Sequence, residues 1–269
     1  MSELSKKARN RTRVQMILTM LVIVSIIRQF FLGNYHNMFL GILTLILFMV
    51  PQFIDKKLGV TIPVGLETVI LIFIFSAEIL GEINAFYVKI PVWDTILHTT
   101  NGFLMAAIGF ALIDLFNRSD RFSIKMSPYF VAFFAFCFSM TIGVLWEFFE
   151  FGMDTVFKTD MQKDRIVQTI SSVELNPDKK NNAIVINNIN KTVIYYTDQN
   201  GMQKEQVIDG GYLDLGIKDT MKDLLVNFVG AIVYSLIGYC YIKGRDGYKF
   251  AEWFIPKRKT AQEIEQTKL

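Results

Sequence analysis

Six runs of about 20 residues, almost free of charge, pass through this 269-residue chain, each long enough to cross the roughly 30 Å hydrocarbon core of a bilayer as a helix. They lie at 14–32, 37–54, 62–81, 94–116, 127–154 and 219–242. In hydrocarbon every backbone N–H and C=O must be paired internally, so such runs form helices and not open strands. With 52% hydrophobic residues, 24 Phe and a mean hydropathy of +0.34, the chain is too apolar for an ordinary soluble domain. The expected fold class is therefore an all-α polytopic membrane protein of about six transmembrane helices, with the lipid bilayer as its first partner.

The first run follows a basic leader, residues 1–13, containing Lys6, Lys7, Arg9, Arg11 and Arg13. Arg28 interrupts the run and no small-residue cleavage pattern follows, so it is expected to stay as an anchor. Orientation follows from Lys and Arg in short connections, which remain on the cytoplasmic side. The leader, Lys56 and Lys57, the turn with Arg118, Arg121 and Lys125, and the tail with Lys243, Arg245, Lys257, Arg258 and Lys259 all fall on one side. The connections 33–36 and 82–93 carry between them only Lys89. Both termini are thus expected in the cytoplasm, in a multi-pass protein of the cell (cytoplasmic) membrane, with Trp93 and Trp146 near the outer interface. The net charge of +3 is accounted for by the cytoplasmic connections and gives no case for a nucleic-acid partner. Cys137 and Cys240, at different depths, are not expected to pair.

The organisation expected is a cytoplasmic leader at 1–13, transmembrane helices one to five over 14–154, an extracytoplasmic β-rich insert at 155–214, helix six over 215–243 and a cytoplasmic tail at 244–269. Within the insert AIVIN (183–187), TVIYYT (192–197) and QKEQVI (203–208) are β-prone, and Asn200-Gly201 is a hairpin signal, which predicts a three-stranded meander. So small a sheet is marginal alone and is expected to lean on the membrane domain or on a partner, an extracytoplasmic protein or a lipid-linked molecule. The insert has no paired Cys and His ligands, glycine-rich phosphate loop or serine nucleophile motif.

Chemistry concentrates at the helix ends. In GVLWEFFEFGMD, residues 143–154, Glu147, Glu150 and Asp154 fall within about 60° of one another at 100° per residue. WDTILHTTNG, residues 93–102, puts Asp94, His98 and Asn101 on one face, and DTMKDLLVN, residues 219–227, does the same with Asp219, Asp223 and Asn227. The topology brings these stripes, with Glu78 and Glu82 of the third span, to the outer end of the bundle. Seven carboxylates there (Glu82, Asp94, Glu147, Glu150, Asp154, Asp219 and Asp223) cannot all ionise uncompensated. Either some hold protons or a divalent cation sits among them, and carboxylates with one histidine suit Zn, Mn or Mg. Asp94, His98, Glu147, Glu150, Asp219 and Asp223 are the candidate metal ligands, and Glu147 and Glu150 the candidate catalytic groups. Glu82, Asn101, Asp154, Asn227 and Arg28 are further members of the polar layer. A plainer account reads Asp94 and Asp219 as helix N-caps, Lys158, Lys218 and Lys222 as screening charges, Arg28 as a counter-ion and His98 as a packing residue.

The ordered set W-D-T-x-L-H (Trp93 to His98, then Gly102), L-W-E-x-x-E (Leu145 to Glu150) and G-x-x-D-T-x-x-D (Gly216 to Asp223, then Gly230 and Ala231) resembles the YjdF-like family of bacterial multi-pass membrane proteins. The likeness covers 81–154 and 215–231, while the first two spans match in hydropathy alone. The family is uncharacterised, so the resemblance implies a bacterial membrane location and a shared polar core of Asp94, His98, Glu147, Glu150, Asp219 and Asp223, and no reaction. Asn227 stands where relatives often carry an acid, and the insert after Met161 and Gln162 is longer than usual.

Three functions fit. One is a metal-assisted enzyme acting on an outer-leaflet lipid phosphate or lipid-linked sugar, with Glu147 or Glu150 as base and His98 as ligand or acid. Another is a proton- or cation-coupled transporter, against which stand the missing inverted repeat and a site near the surface. The third is a non-catalytic structural, sensory or accessory component. Oligomeric state is not legible.

Overall fold

The computed structural model describes residues 3–57, 60–117, 126–244 and 253–258. The turn with Arg118, Arg121 and Lys125, and the tail residues Arg245 and Lys259, on which part of the orientation argument rests, lie outside them. Among the described residues, six helical stretches are long and apolar enough to cross a membrane: Arg13–Phe31, Tyr35–Ile54, Val64–Ile83, Trp93–Ile113, Pro128–Phe157 and Ile217–Lys243. Each agrees with an expected span to within a few residues.

The chain divides into two units. One comprises 1–144 and 223–269, the other 145–222. In the first, helix α1 (Glu3–Phe31) packs on α2 (Tyr35–Leu47), where Gly41 lies directly against the Ile26 side chain. Asn34 caps α2 by accepting from the Asn37 N–H at 3.1 Å. A short α3 (Val50–Lys57) follows, so the second span is two helices, broken near Phe48. Strand β1 (Val60–Thr61) leads into α4 (Val64–Phe75), and from Ser76 to Ile83 the helix widens into a π-helical segment. Its register is closed by the Asn84 N–H donating to Ile79 O at 3.1 Å, and the Trp93 indole N–H reaches Ser76 O at 3.3 Å. The four-residue α5 (Phe86–Lys89) connects to α6 (Trp93–Asn117), and α7 runs over Pro128–Phe157.

Lipid tails are as apolar as leucine, so apolarity alone does not hold membrane helices together, and close packing must. Here α6 and α8 (Ile217–Lys243) meet backbone to backbone. A Cβ on Gly102 would stand 2.1 Å from Asn227 O, and one on Gly230 would stand 2.0 Å from Thr99 O. Below that contact lies a core of Phe110, Ala106, Ala107, Val131 and Tyr234, all fully buried. Tyr234 packs edge-on against Phe103 and Phe110 at 5.0 and 6.0 Å between ring centroids, each such pair worth about 0.5–1.5 kcal/mol beyond burial. Part of the expected tail joins this core. Ile255 is fully buried in it, Tyr234 donates to Phe254 O, and β8 (Lys257–Arg258) pairs antiparallel with β1.

The second unit contains the ends of α7 and α8 that lie in 145–222, with the β-rich insert between them. Its strands are β2 (Ile166–Val167), β3 (Ile170–Ser172), β4 (Ile184–Ile186), β5 (Lys191–Thr197), β6 (Gln203–Asp209) and β7 (Tyr212–Leu213). They form three two-stranded antiparallel ladders, β2 with β7, β3 with β4 and β5 with β6. The hairpin at Asn200-Gly201 forms as the sequence indicates, with Gly201 at φ +78 donating its N–H to Asp198 O. The three-stranded meander does not. β4 pairs with β3, placing Ile186 opposite Ile170, rather than with β5. Asn188, at φ 53, redirects the connection, and the Ile189 N–H then donates to Gln168 O, which keeps the chain beside β3.

Two outcomes follow from this packing. Gly230→Val should lower the unfolding free energy of the detergent-solubilised protein by about 1–3 kcal/mol, as overpacking does. Gly152→Ala, with nothing within 4 Å of the added carbon, should be neutral or stabilising by up to about 1 kcal/mol. Thermal unfolding with fluorescence detection compares them, and equal effects would contradict the close contact. In the hairpin, the Lys204 ammonium at 2.8 Å, with the N–H groups of Met202 and Asn200, holds the Asp198 carboxyl below its usual range. A depressed carboxyl contributes stability that is present above the unfolded-state value and lost as pH falls through the folded one. Amide protection over 191–209, relative to intrinsic exchange, should therefore fall selectively in acid, and in Asp198→Asn it should be low already at neutral pH.

Candidate functional site

On α6, residues 94, 98 and 101 are spaced four and three apart and share one face; on α8, residues 223, 227 and 230 repeat that spacing. The close backbone approach at Gly102 and Gly230 turns the two faces toward each other. His98 Nε2 lies 3.4 Å from Asp94 Oδ1 and 3.9 Å from Asp223 Oδ2. One ligand atom from each of the three residues falls within 4.8 Å of the other two. Asp223 is buried, its side chain only 2% exposed, while His98 and Asp94 retain 13% and 20%. The cluster thus has a closed side on α8 and an accessible side on α6.

A layer of uncharged polar groups continues from it. The Asn101 amide donates to Asn227 Oδ1 at 3.3 Å. The fully buried Asn227 amide nitrogen is 3.5 Å from Ser139 O and 3.6 Å from Met140 Sδ, and Ser139 Oγ donates to Gly102 O at 2.7 Å. Gly143 leaves room for the Asn227 amide, since a Cβ there would meet its nitrogen at 2.7 Å. The layer fixes α6, α7 and α8 in rotation and register, so that the charged residues one turn away on α6 and α8 converge.

Two carboxylates face the same imidazole nitrogen, which carries at most one proton and can direct it to only one of them. A cation bound among the three would be held by both carboxylates and the imidazole at once. With bonds of about 2.0–2.2 Å, ligand atoms around one metal stand roughly 3.4 Å apart in tetrahedral geometry and up to about 4.4 Å apart across it. The observed separations of 3.4 and 3.9 Å lie in that range. Three protein ligands with an accessible side also leave coordination positions for water or substrate.

The family comparison covers both helices and the spans before them, since a family model for predicted membrane proteins matches residues 12–244. The chain belongs to the DUF2238 family. This agrees with the resemblance carried by the Trp93–His98, Leu145–Glu150 and Gly216–Asp223 motifs. No curated protein and no solved structure matches the DUF2238 chain.

The other candidates of this DUF2238 protein occupy the second unit, the third span or, in the case of Arg28, the first span. Glu147 and Glu150 are buried on α7, and the Trp146 indole N–H donates to Glu150 Oε1 at 2.8 Å. Asp154 accepts from Thr159 Oγ1 and from the Met161 and Gln162 N–H groups at 2.7–2.8 Å, anchoring the chain as it leaves α7. Asp219, also buried, accepts from the Lys163 N–H and from the Arg165 guanidinium, both at 2.9 Å, with Lys222 Nζ at 3.9 Å. It is not the cap of α8. Asp214 has that role, taking the Lys218 and Gly216 N–H groups at 3.1 and 3.3 Å. Lys158 turns back to Thr155 O. Glu82 is exposed at the end of the π-helical segment, and Arg28 reaches Asn84 Oδ1 at 3.5 Å.

Two features escaped the sequence argument. Glu67 is a fully buried acid on α4, signalled only by its isolation in VGLETVILIFIF. Arg165 is the partner of Asp219 from 54 residues away, which no local pattern announces. Breaking a buried pair costs about 3–5 kcal/mol, and Arg165 is half exposed, so Arg165→Ala should cost less, roughly 1–3 kcal/mol. Amide exchange over 162–167 and 212–220 reads the loss, and protection unchanged from the parent would show the pair to be idle.

Proposed function

We propose that Asp94, His98 and Asp223 bind one divalent metal ion near one membrane face, and that the ion assists chemistry on a phosphate-bearing lipid or lipid-linked substrate of the outer leaflet. The observation that carries this reading is the convergence of two carboxylates on one imidazole nitrogen, one of them buried within a membrane-spanning helix. Ionisable groups that converge at such positions usually mark function. Imidazole with carboxylates suits Zn²⁺ or Mn²⁺ and disfavours the soft Cu⁺ ion. A metal there would polarise a phosphoryl oxygen or lower the pKa of a bound water.

Buried Glu67, together with the π-helical widening of the third span, favours a second reading, a proton- or cation-coupled transporter. It differs in its readout, a flux across sealed vesicles without turnover of lipid.

Purified protein equilibrated with Zn²⁺, Mn²⁺ and Mg²⁺ in turn and then desalted should retain one of them at about one ion per chain by elemental mass spectrometry. His98→Ala and Asp223→Asn should lose it while eluting as the parent does on gel filtration. Asn227→Ala should weaken binding by roughly 10–100-fold, as loss of a supporting hydrogen-bond layer does. Asp94→Asn should weaken metal binding and lose turnover of outer-leaflet lipid phosphate with it. A parent that retains no metal from any of the three solutions overturns the reading.

A further inference from the structure

Arg28 breaks an otherwise apolar stripe. Ile17, Leu21, Val24 and Phe31, spaced with it at steps of four and three residues, are all exposed on the same face of α1, within a membrane span. Phe31 lies almost one turn nearer the helix end than Arg28, so the guanidinium leaves the helix below the edge of the apolar surface and not in open water. A charge at that depth is unfavourable unless its side chain reaches polar partners.

What it reaches is Asn84, at the end of the π-helical segment. The Asn84 side chain is fixed, because its amide nitrogen donates to Ile79 O at 2.6 Å, and its Oδ1 accepts from Arg28 Nη1 at 3.5 Å. Lys89 Nζ donates to the backbone O of the same residue at 2.8 Å. Two cations from distant parts of the chain thus meet at one neutral residue. Neither forms an ion pair with a carboxylate among the described residues, although Glu82 stands exposed two positions from Asn84. A guanidinium has five N–H donors and an ammonium three, and Asn84 accepts one bond from each. The remaining donors belong to exposed side chains, and two like charges held side by side favour an anion between them.

The neighbours of the pair indicate which anion. Val88, next to Lys89, is 79% exposed, and Val92 is exposed as well. Phe86 packs edge-on against Trp93 at 4.9 Å between ring centroids, and indole rings favour the headgroup level of a bilayer. Apolar surface therefore flanks both cations, and an anion that fits among it carries hydrocarbon of its own. Arginine matches phosphate oxygens with its planar fork, and a basic residue near anionic headgroups adds affinity.

We propose that Arg28 and Lys89, held together by Asn84, bind the phosphate of one anionic glycerophospholipid of the adjacent leaflet. Guanidinium and ammonium donate to its non-bridging oxygens, and its acyl chain lies along Val24, Ile27 and Phe31. The site is independent of the metal reading.

The test uses the full chain in detergent with phosphatidylglycerol, phosphatidylcholine or inorganic phosphate added, and reads lipid retention by native mass spectrometry together with the melting temperature. The parent should retain one phosphatidylglycerol and melt higher with it than with phosphatidylcholine or inorganic phosphate. Arg28→Gln and Lys89→Gln should each weaken retention of phosphatidylglycerol roughly fivefold, the scale of one basic residue at an anionic headgroup. Lys191→Gln removes the same charge from the exposed start of β5 and should leave retention unchanged. Lipid-free melting temperatures should match the parent and show the variants folded. If one does not, Arg28→Lys or Lys89→Arg, which keep the charge, should be folded and keep the preference for phosphatidylglycerol. Equal retention of the two lipids, retention unchanged in both Gln variants, or a loss in Lys191→Gln equal to theirs would each overturn the proposal. So would an equal rise in melting temperature with inorganic phosphate, by assigning the two cations to a soluble anion.

Discussion

The arrangement of the polar cluster depends on one contact, the place where α6 and α8 touch through their backbones. In water such proximity would be driven by burying apolar surface, but between helices already surrounded by hydrocarbon that drive is absent. What remains is dispersion between well-fitted surfaces and the hydrogen bonds that close approach permits. Gly102 and Gly230 remove the side chains that would hold the helices apart, and Asn101 with Asn227 supplies a polar pair across the gap. Because those residues are three or four positions from His98 and Asp223, the same contact that joins the helices aims the charged side chains at each other.

The arrangement also separates strength from reactivity. All three groups are neutral: the amides of Asn101 and Asn227 bond each other, the Ser139 hydroxyl bonds the Gly102 carbonyl, and Asn227 and Ser139 are fully buried. Their cost of desolvation is modest and their geometry is fixed by backbone partners. The charged residues lie one turn away, where His98 and Asp94 keep some access to solvent. A charge placed at the depth of Asn227 would need a counter-charge there, and among the described residues around it none is seen.

How much of this was legible in the chain depended on the range of the signal. Each span is announced by its own residues, since backbone saturation in hydrocarbon leaves a helix as the only solution. The stripe at 94, 98 and 101 and the stripe at 223 and 227 were legible because helical periodicity fixes which side chains share a face. That His98 meets both Asp94 and Asp223 required the α6–α8 crossing, to which Gly102 and Gly230 were the only local clue. The engagement of Asp219 by Arg165 was invisible, being a pairing across a loop. The insert misled in a specific way. Ile184–Ile186 is legible as a strand from its β-branched run, whereas Ile170–Ser172 carries one apolar residue and no strand signal, so its pairing with Ile184–Ile186 has no local mark. The π-helical segment gave no compositional sign, since it changes hydrogen-bond register and not residue type.

The seating of Ile255 in the core and the pairing of Lys257–Arg258 with Val60–Thr61 have a consequence for biogenesis. These residues leave the ribosome after all six of the spans described above. Until then the helices already in the membrane lack the plug that Ile255 supplies, and the segment leading into the third of them lacks its strand partner. The fold therefore cannot close before this segment has been made, and a chain cut short anywhere before it would carry an open seam for membrane proteolysis to recognise.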